Sequence, residues 1–363
     1  SSTSRGLGDV YKRQKLYFEP LNWQEVEAVL LREKPKSVII QLGGQTPLKL
    51  AEKIVEKGYT IAGSSIEVID STEDRELFQK LCTKENIKQP ISNIAANVKE
   101  LSDSVTQIGY PVLLRPSYVL GGRAMRVVNN EIELSNYLDV LSKSDEDGNP
   151  FNSGPLLVDE YLTNAIEIDV DLISDGTDVV IAGILEHLEP AGVHSGDSTA
   201  VLPPYSIEEK MLTEIKDKSI KLALSLNVRG LLNIQFAIKE NELYILEANP
   251  RASRTMPFVA KVTKNQIIKA GTLIMLGHKI KDILKDTDYL SSKTNKIAVK
   301  KAIFPWSRFP AEDTMLGPEM KATGEVLGIG SKLGIALNKA YAAAGVEIGV
   351  KQQGIFITPV SYT

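Results

Sequence analysis

The stretch that most constrains this chain is Leu243-Tyr-Ile-Leu-Glu-Ala-Asn-Pro-Arg-Ala-Ser-Arg254. It opens as a strand, so Tyr244, Leu246 and Ala248 are expected on one face, and Leu243, Ile245, Glu247 and Asn249 on the other. Pro250 lacks an N–H and ends the ladder. Glu247 and Asn249 thus share a face two residues apart. They offer a carboxylate and a carboxamide, the hard oxygen ligands that Mg2+ takes. Arg251 and Arg254 follow at once, and fixed guanidinium groups beside such oxygens suit phosphate chemistry. The competing reading is an edge strand with a solvated polar face.

The preceding run, Gly230 to Lys239, also reads as a strand, with Gln235 facing away from Ile234 and Phe236. Lys239-Glu240-Asn241-Glu242 is a short turn, which places Gln235 roughly across from Glu247. A slip of one residue would reverse the facing. In this register Gln235, Glu247 and Asn249 converge as an oxygen-ligand set.

Earlier in the chain, a strand at Ser37 to Gln41 runs into Gly43-Gly-Gln-Thr-Pro47, a helix to about Lys57 and a strand at Tyr59 to Gly63. This is a βαβ unit with its glycine turn at the carboxyl edge of a parallel sheet. The turn is not GxGxxG, which argues against a dinucleotide site. A helix is expected from Ser71 to about Asn86, starting at the acidic turn Thr72 to Arg75. Arg115-Pro-Ser-Tyr-Val-Leu-Gly-Gly-Arg123 joins two strands, so it reads as a hairpin flap whose Gly121 and Gly122 N–H groups can face phosphate. Ile166 to Asp171 alternates strictly, putting Glu167, Asp169 and Asp171 on one face, with a solvated edge as the expectation for the last two. Ala191-Gly-Val-His-Ser-Gly-Asp-Ser198 is a small polar loop around His194, suited to ribose or phosphate. His187 and His278 carry no assigned role. Further on, a helix is expected over 264–284, a strand with outward lysines over 297–304, a turn-like region over 317–330 and a helix over 332–344.

Net charge is −4 over 363 residues, so the chain has no nucleic-acid signature. No apolar run reaches membrane-spanning length. One cysteine, Cys82, excludes an internal disulfide and reads as core. No His–Cys cluster supports zinc, and there is no GxSxG elbow.

Five motifs occur in order: 43–47, 115–123, 191–198, Asn233-Ile-Gln-Phe236 and Glu247-Ala-Asn-Pro-Arg251. Together they resemble the large chain of carbamoyl phosphate synthetase, an ATP-grasp family. The resemblance runs from about Lys15 to Ile357 and is to the second, carbamate-phosphorylating half; the stretch Arg254-Thr-Met-Pro-Phe-Val-Ala-Lys261 marks that half. It implies an α/β and α+β architecture: a partial pre-ATP-grasp βαβ domain, then an ATP-grasp domain with two antiparallel-sheet lobes around the ATP cleft. The expected division is a non-matching tail at 1–14, the front domain at 15–70, the ATP-grasp domain at 71–276, the remainder of the synthetase unit at 277–345 and the start of a truncated allosteric domain at 346–363.

Carried over, the resemblance puts Arg115 at the phosphates, Glu160 and Leu162 at adenine and Glu167 at ribose. Some relatives have histidine where Glu160 stands, so backbone recognition is the firmer expectation there. Gly192, Val193, His194 and Ser195 would form the ribose and phosphate loop. Gln235, Glu247 and Asn249 would hold a pair of Mg2+ or Mn2+ ions, with K+ as a further allowed ion. Arg251 and Arg254, with Asn249, would act on the phosphoryl group and carbamate. The implied reaction is phosphorylation of carbamate by ATP, the last step in making carbamoyl phosphate for pyrimidine and arginine synthesis. The implied partners are a glutaminase subunit or domain and the first synthetase half, in the cytoplasm. The alternatives are a catalytically incomplete nucleotide-binding fragment or another ATP-grasp carboxylate ligase.

Overall fold

The computed structural model describes residues 15–116, 125–143, 151, 154–285, 296–308 and 314–346. The expected flap with Gly121, Gly122 and Arg123, the tail at 1–14 and the final strand lie outside the described residues.

Strands β1 (Val38–Ile39) and β2 (Ile61–Ala62) pair in parallel, as the βαβ pattern requires. Helix Trp23–Glu33 starts at Asn22, whose side chain accepts from Glu25 N at 3.0 Å. Leu30, Ile40, Leu48, Ile54 and Ile69 fill the small core of this front unit. The helix expected from Ser71 is instead two helices, Ile66–Glu73 and Arg75–Lys84. Asp74 restarts the chain by accepting from Leu77 N at 2.9 Å, so the acidic turn is a junction between two helices.

A four-stranded antiparallel sheet follows, built from β3 (Ser92–Ala95), β4 (Val112–Pro116), β5 (Arg126–Val128) and β6 (Leu156–Glu160) in the order β3-β6-β4-β5. Leu101 and Val105, from helix Val98–Ile108, pack with Tyr137, from Glu131–Lys143, on Leu114 and Val158.

The larger sheet is also antiparallel and has seven strands. They are β7 (Ile166–Asp175), β8 (Val179–His187), β9 (Ala200–Leu202), β10 (Arg229–Lys239), β11 (Glu242–Asn249), β12 (Ile297–Ile303) and β13 (Gly324–Gly330). Their order is β11-β10-β7-β8-β9-β12-β13. One face is apolar: Ile168, Val170, Ile234 and Phe236 pack against Ile215 and Leu222 of helix Glu209–Ser225. Two antiparallel lobes behind a small parallel unit are therefore present.

Four expectations change. β7 lies between β10 and β8, so Asp169 and Asp171 are buried in the centre of a sheet, not at a solvated edge. Lys300 on β12 points inward, where its Nζ donates to the Ser195 carbonyl at 2.9 Å. The glycine-rich 317–330 region ends in β13, because its glycines allow close packing by helix Leu333–Ala343. The helical stretch over 264–284 is broken into Ile267–Met275 and Ile280–Lys285, and a further helix, Thr255–Thr263, precedes it. Cys82 is buried, and burial pushes its thiol up to about 12. Among the described residues, no helix is long and apolar enough to cross a membrane.

A Cβ at Gly328 would lie 2.1 Å from the Ala336 carbonyl oxygen and 2.6 Å from Ala340 N. Backbone cannot step aside as a side-chain tip can. Gly328→Ala should therefore cost about 1–3 kcal/mol, read as a lower urea midpoint. An unchanged midpoint would show that the helix does not sit this close to β13.

Candidate functional site

The polar face of the large sheet is laid out in rows across three strands. Gln235 pairs with Glu247 on one side and Asp169 on the other. Asn233 pairs with Asn249 and Asp171 in the next row, and Ala237 pairs with Glu167 in the row beyond. The expected opposition of Gln235 and Glu247 is therefore present. Its cause differs from simple alternation. A bulge at Leu246 lets Gln235 pair with Glu247 while Phe236 pairs with Ile245. Ala248, not Glu247, consequently joins Leu243 and Ile245 in the core, and Glu247 and Asn249 turn to the polar face.

Asn249 Nδ2 donates to Glu247 Oε1 at 2.8 Å, and Asn249 Oδ1 accepts from Arg251 Nη2 at 3.1 Å. Glu247 meets solvent, yet the surrounding walls of protein crowd it. That desolvation raises its carboxyl pKa, against the pull of Asn249 and Arg251. Gln235, Glu247 and Asn249 form one carboxylate and two carboxamides. Among the described residues, no group of three or more His, Cys, Asp or Glu side chains could hold a metal by itself. The three-residue set fits Mg2+ in the manner of sites that take one carboxylate and leave the remaining positions to substrate phosphates and water.

The residues expected at the nucleotide are spread over both sheets and the 191–198 loop, with Glu160 ending β6 and Glu167 on β7. Leu162 is buried with Ala165, Ala191, Ala237 and Tyr244. Glu160 Oε2 accepts from Ile91 N at 3.2 Å and Oε1 lies 3.7 Å from Lys239 Nζ, which leaves its side chain engaged. Glu167 Oε1 accepts from Gly192 N at 3.0 Å and so ties β7 to the 191–198 loop. Gly192 has φ +97°, and a Cβ there would meet the Tyr161 ring at 2.6 Å, so only glycine fits. Val193 follows in the same turn. His194 Nδ1 accepts from Gly196 N at 3.0 Å, which leaves Nε2 as the protonated nitrogen of the neutral ring. Burial lowers its pKa and favours that neutral form. The Ser195 carbonyl is held by Lys300.

The four arginines differ in their commitments. Arg115 Nε lies 2.7 Å from Asp159 Oδ2. Arg75 donates to both oxygens of the same carboxylate, at 3.0 and 3.2 Å. Arg251 is held by Asn249 and by Gln45 Oε1 at 2.7 Å. Arg254 is exposed beside Met320 and makes no ion pair among the described residues.

Beneath this surface is a buried layer. Asn233 Nδ2 donates to Asp169 at 3.2 Å and to Asp171 at 2.9 Å. Asp171 also accepts from Ser253 Oγ at 2.7 Å and Thr255 Oγ1 at 2.6 Å, anchoring the turn that carries Arg254. His187 Nε2 is 2.8 Å from Asp169 Oδ2, and Nδ1 is 3.3 Å from Glu167 Oε2. Burial alone would lower the His187 pKa. Asp169 and Glu167 outweigh it and raise the value to about 9. Burial and the neighbouring Asp169 charge push Asp171 up to about 6.

Residues 74–283 match the family model for the carbamoyl-phosphate synthase L chain, ATP binding domain, and residues 7–71 match the carbamoyl phosphate synthase preATP-grasp domain. The chain belongs to the carbamoyl phosphate synthase large-chain family. It is 46% identical over 351 residues to the carbamoyl phosphate synthase large chain, C-terminal section, of Aquifex aeolicus, covering 93% of this chain and 64% of that one. It is 47% identical over 339 residues to the large chain of Archaeoglobus fulgidus, covering 93% of this chain and 30% of that one. The chain thus spans less than two thirds of the first relative and under a third of the second. Among solved structures, the biotin carboxylase domain of the Hydrogenobacter thermophilus 2-oxoglutarate carboxylase, in complex with MgADP, ADP and bicarbonate, shares the fold. Its TM-score is 0.63 at 20% identity, over 80% of this chain and 64% of that one.

The contacts that Arg75, Asp159, Asp169, Asp171, His187, Asn233 and Lys300 make escape the sequence reading. The strict alternation at 166–171 was a usable signal for the two buried aspartates, once β7 is placed centrally. His187 follows from it, because two carboxylates on the neighbouring strand need a cation.

A histidine pKa raised above its unfolded value of about 6.5 stabilises the fold fully below pH 6.5. That stability is lost as pH rises through the folded value of about 9. His187→Gln should therefore lower stability most at pH 6 and least near pH 9.5, in denaturant titrations across that range. A stability loss independent of pH would rule out a charged His187.

Proposed function

We propose that this chain phosphorylates carbamate with ATP, forming carbamoyl phosphate and ADP. The observation that carries the reading is the grouping of Gln235, Glu247 and Asn249 on adjacent strands beside Arg251. A carbamate oxygen attacks the γ-phosphorus, the bond from that phosphorus to the bridging oxygen breaks, and ADP leaves. The nucleophile is already ionised, so no general base is required. Catalysis then rests on positioning and charge neutralisation. Bound Mg2+ would supply Lewis-acid neutralisation of the phosphate oxygens. Glu247, Asn249 and Gln235 would hold it, and Arg251 and Arg254 would bind the transferred phosphoryl group and the carbamate.

Arg115 would meet the phosphates, after exchanging Asp159 for them. Leu162, with the backbone at Glu160, would receive adenine, Glu167 the ribose, and the Gly192 to Ser195 loop the sugar and phosphates. In this reading ammonia comes from a glutaminase subunit and carbamate from the first synthetase half, in the cytoplasm. The chain divides into a front domain at 15–70, an ATP-grasp domain at 71–276 and the rest of the synthetase unit at 277–345, with an allosteric domain beginning at 346.

The test runs the reaction backward. The chain with ADP, carbamoyl phosphate and Mg2+ should make ATP, and Glu247→Gln should slow this by about 10²–10³-fold, or roughly 3–4 kcal/mol. No ATP synthesis by the wild type would sink the reading. A wild-type rate in Glu247→Gln would sink the metal assignment.

A further inference from the structure

The front unit reaches into the site through the turn after β1. Gln41 is fully buried. Its Nε2 donates to the Pro250 carbonyl at 2.6 Å, and its own carbonyl accepts from Ala252 N at 2.8 Å. These bonds fall on the residues either side of Arg251. Four residues further on, Gln45 takes the Arg251 side chain. Gln45 Oε1 accepts from Arg251 Nε at 2.7 Å, and Gln45 Nε2 donates to Glu73 Oε1 at 2.8 Å.

The remaining guanidinium nitrogens are also committed. Nη2 donates to Asn249 Oδ1 at 3.1 Å and Nη1 to the Ala252 carbonyl at 3.2 Å. A guanidinium is a planar fork, so three fixed nitrogens set its plane as well as its place. Gln45 is matched to this task. One neighbour only donates and the other only accepts, so the orientation of its amide is forced. A leucine of similar size would fill the space and leave Nε unpaired. A glutamate would satisfy Arg251 but face Glu73 with a like charge.

We propose that Gln45 is a positioning residue for the anion-binding arginine, and that the front unit is therefore part of the active site. The turn from Gln41 to Gln45 grips Arg251 by its flanking backbone and its Nε. The guanidinium held in this way is tied to Asn249, which in turn donates to Glu247. This rests on the reading of Arg251 as the group that holds the transferred phosphoryl or its acceptor.

The experiment compares wild type, Gln45→Leu, Gln45→Glu and the exchanged pair Gln45→Glu with Glu73→Gln, all as the full chain. In ATP synthesis from ADP and carbamoyl phosphate, Gln45→Leu should raise KM for carbamoyl phosphate and lower kcat, together about 10–100-fold in kcat/KM. KM for ADP should move by less than about twofold, since the side-chain hydrogen bonds of Gln45 go to Arg251 and Glu73 and not to the proposed adenine residues. Gln45→Glu keeps an acceptor for Arg251 but repels Glu73, so it should lose activity by less than Gln45→Leu. The exchanged pair keeps that acceptor and puts a donor at position 73, and should recover most of the loss. A structural role alone would not reverse on exchange.

A second readout needs no turnover. In chain labelled with 15N-arginine, the Arg251 Nε–H signal, assigned by its absence in Arg251→Lys, should be protected from solvent exchange. In Gln45→Leu that protection should fall at least about tenfold, and it should return in the exchanged pair. Unchanged kinetics and unchanged protection in Gln45→Leu would overturn the proposal. If wild type makes no ATP but protection still depends on Gln45, the reaction is misassigned and the positioning role stands.

Discussion

Two carboxylates, Asp169 and Asp171, are held out of water in an interior strand of a seven-stranded sheet. A buried carboxylate without partners is too costly to keep ionised, so the surrounding structure has to answer each one. Asn233 donates to both. His187 and Lys300 supply positive charge to Asp169, which lies below its ordinary pKa although burial pushes it upward. Asp171 makes no ion pair among the described residues. It is met by hydroxyls from Ser253 and Thr255, and its pKa rises. Those hydroxyls flank Arg254. The compensation of one buried carboxylate thereby fixes the start of the helix at Thr255 and the turn that presents the exposed arginine.

The second constraint is the single extra residue at Leu246. A strand of strict alternation would bury Glu247 with Ile245 under helix Glu209–Ser225 or expose Ile245 instead. The bulge removes that conflict. Leu243, Ile245 and Ala248 go to the core, while Tyr244, Leu246, Glu247 and Asn249 serve the other face. Bulges are suited to this use because they re-aim a short stretch without ending the pairing. Here the pairing resumes at once, with Ala248 opposite Ile234 and Asn249 opposite Asn233.

The legible part of the sequence was the part written in local pattern. The hairpin of Gln235 and Glu247 could be read because its turn is short, although strict alternation put Glu247 on the face of Ile245 and the bulge reverses that. The βαβ front and the 191–198 loop were marked by glycine at turns. The unread part depends on who the neighbours are. Alternation at 166–171 shows that three acids share a face, but an edge strand and a central strand alternate alike. His187 looks isolated in sequence because its carboxylates lie 18 and 20 residues earlier, across a strand pair. Arg75 reads as the opening of a helix until Asp159, 84 residues on, meets it. The bulge itself has no marker, since Leu246 is an ordinary strand residue.

The charge balance of the cleft also bears on how a metal and a nucleotide would bind under the proposed function. Gln235, Glu247 and Asn249 contribute one formal charge between them, that of Glu247, whose carboxyl pKa is raised by desolvation. Such a set has little hold on a free divalent ion, which keeps its waters firmly. Once phosphate oxygens share the ion, the same three side chains suffice, because the nucleotide brings the missing negative charge. The arginines point to the same coupling. Arg75 and Arg115 share the single carboxylate of Asp159, which offsets only part of their charge and stands between them and an incoming phosphate. A polyanion carrying its own cation does both at once, whereas a lone metal or a lone anion does only half. Under the proposed function, the site would recognise a metal–nucleotide complex as one ligand, with the acceptor anion left to Arg251 and Arg254.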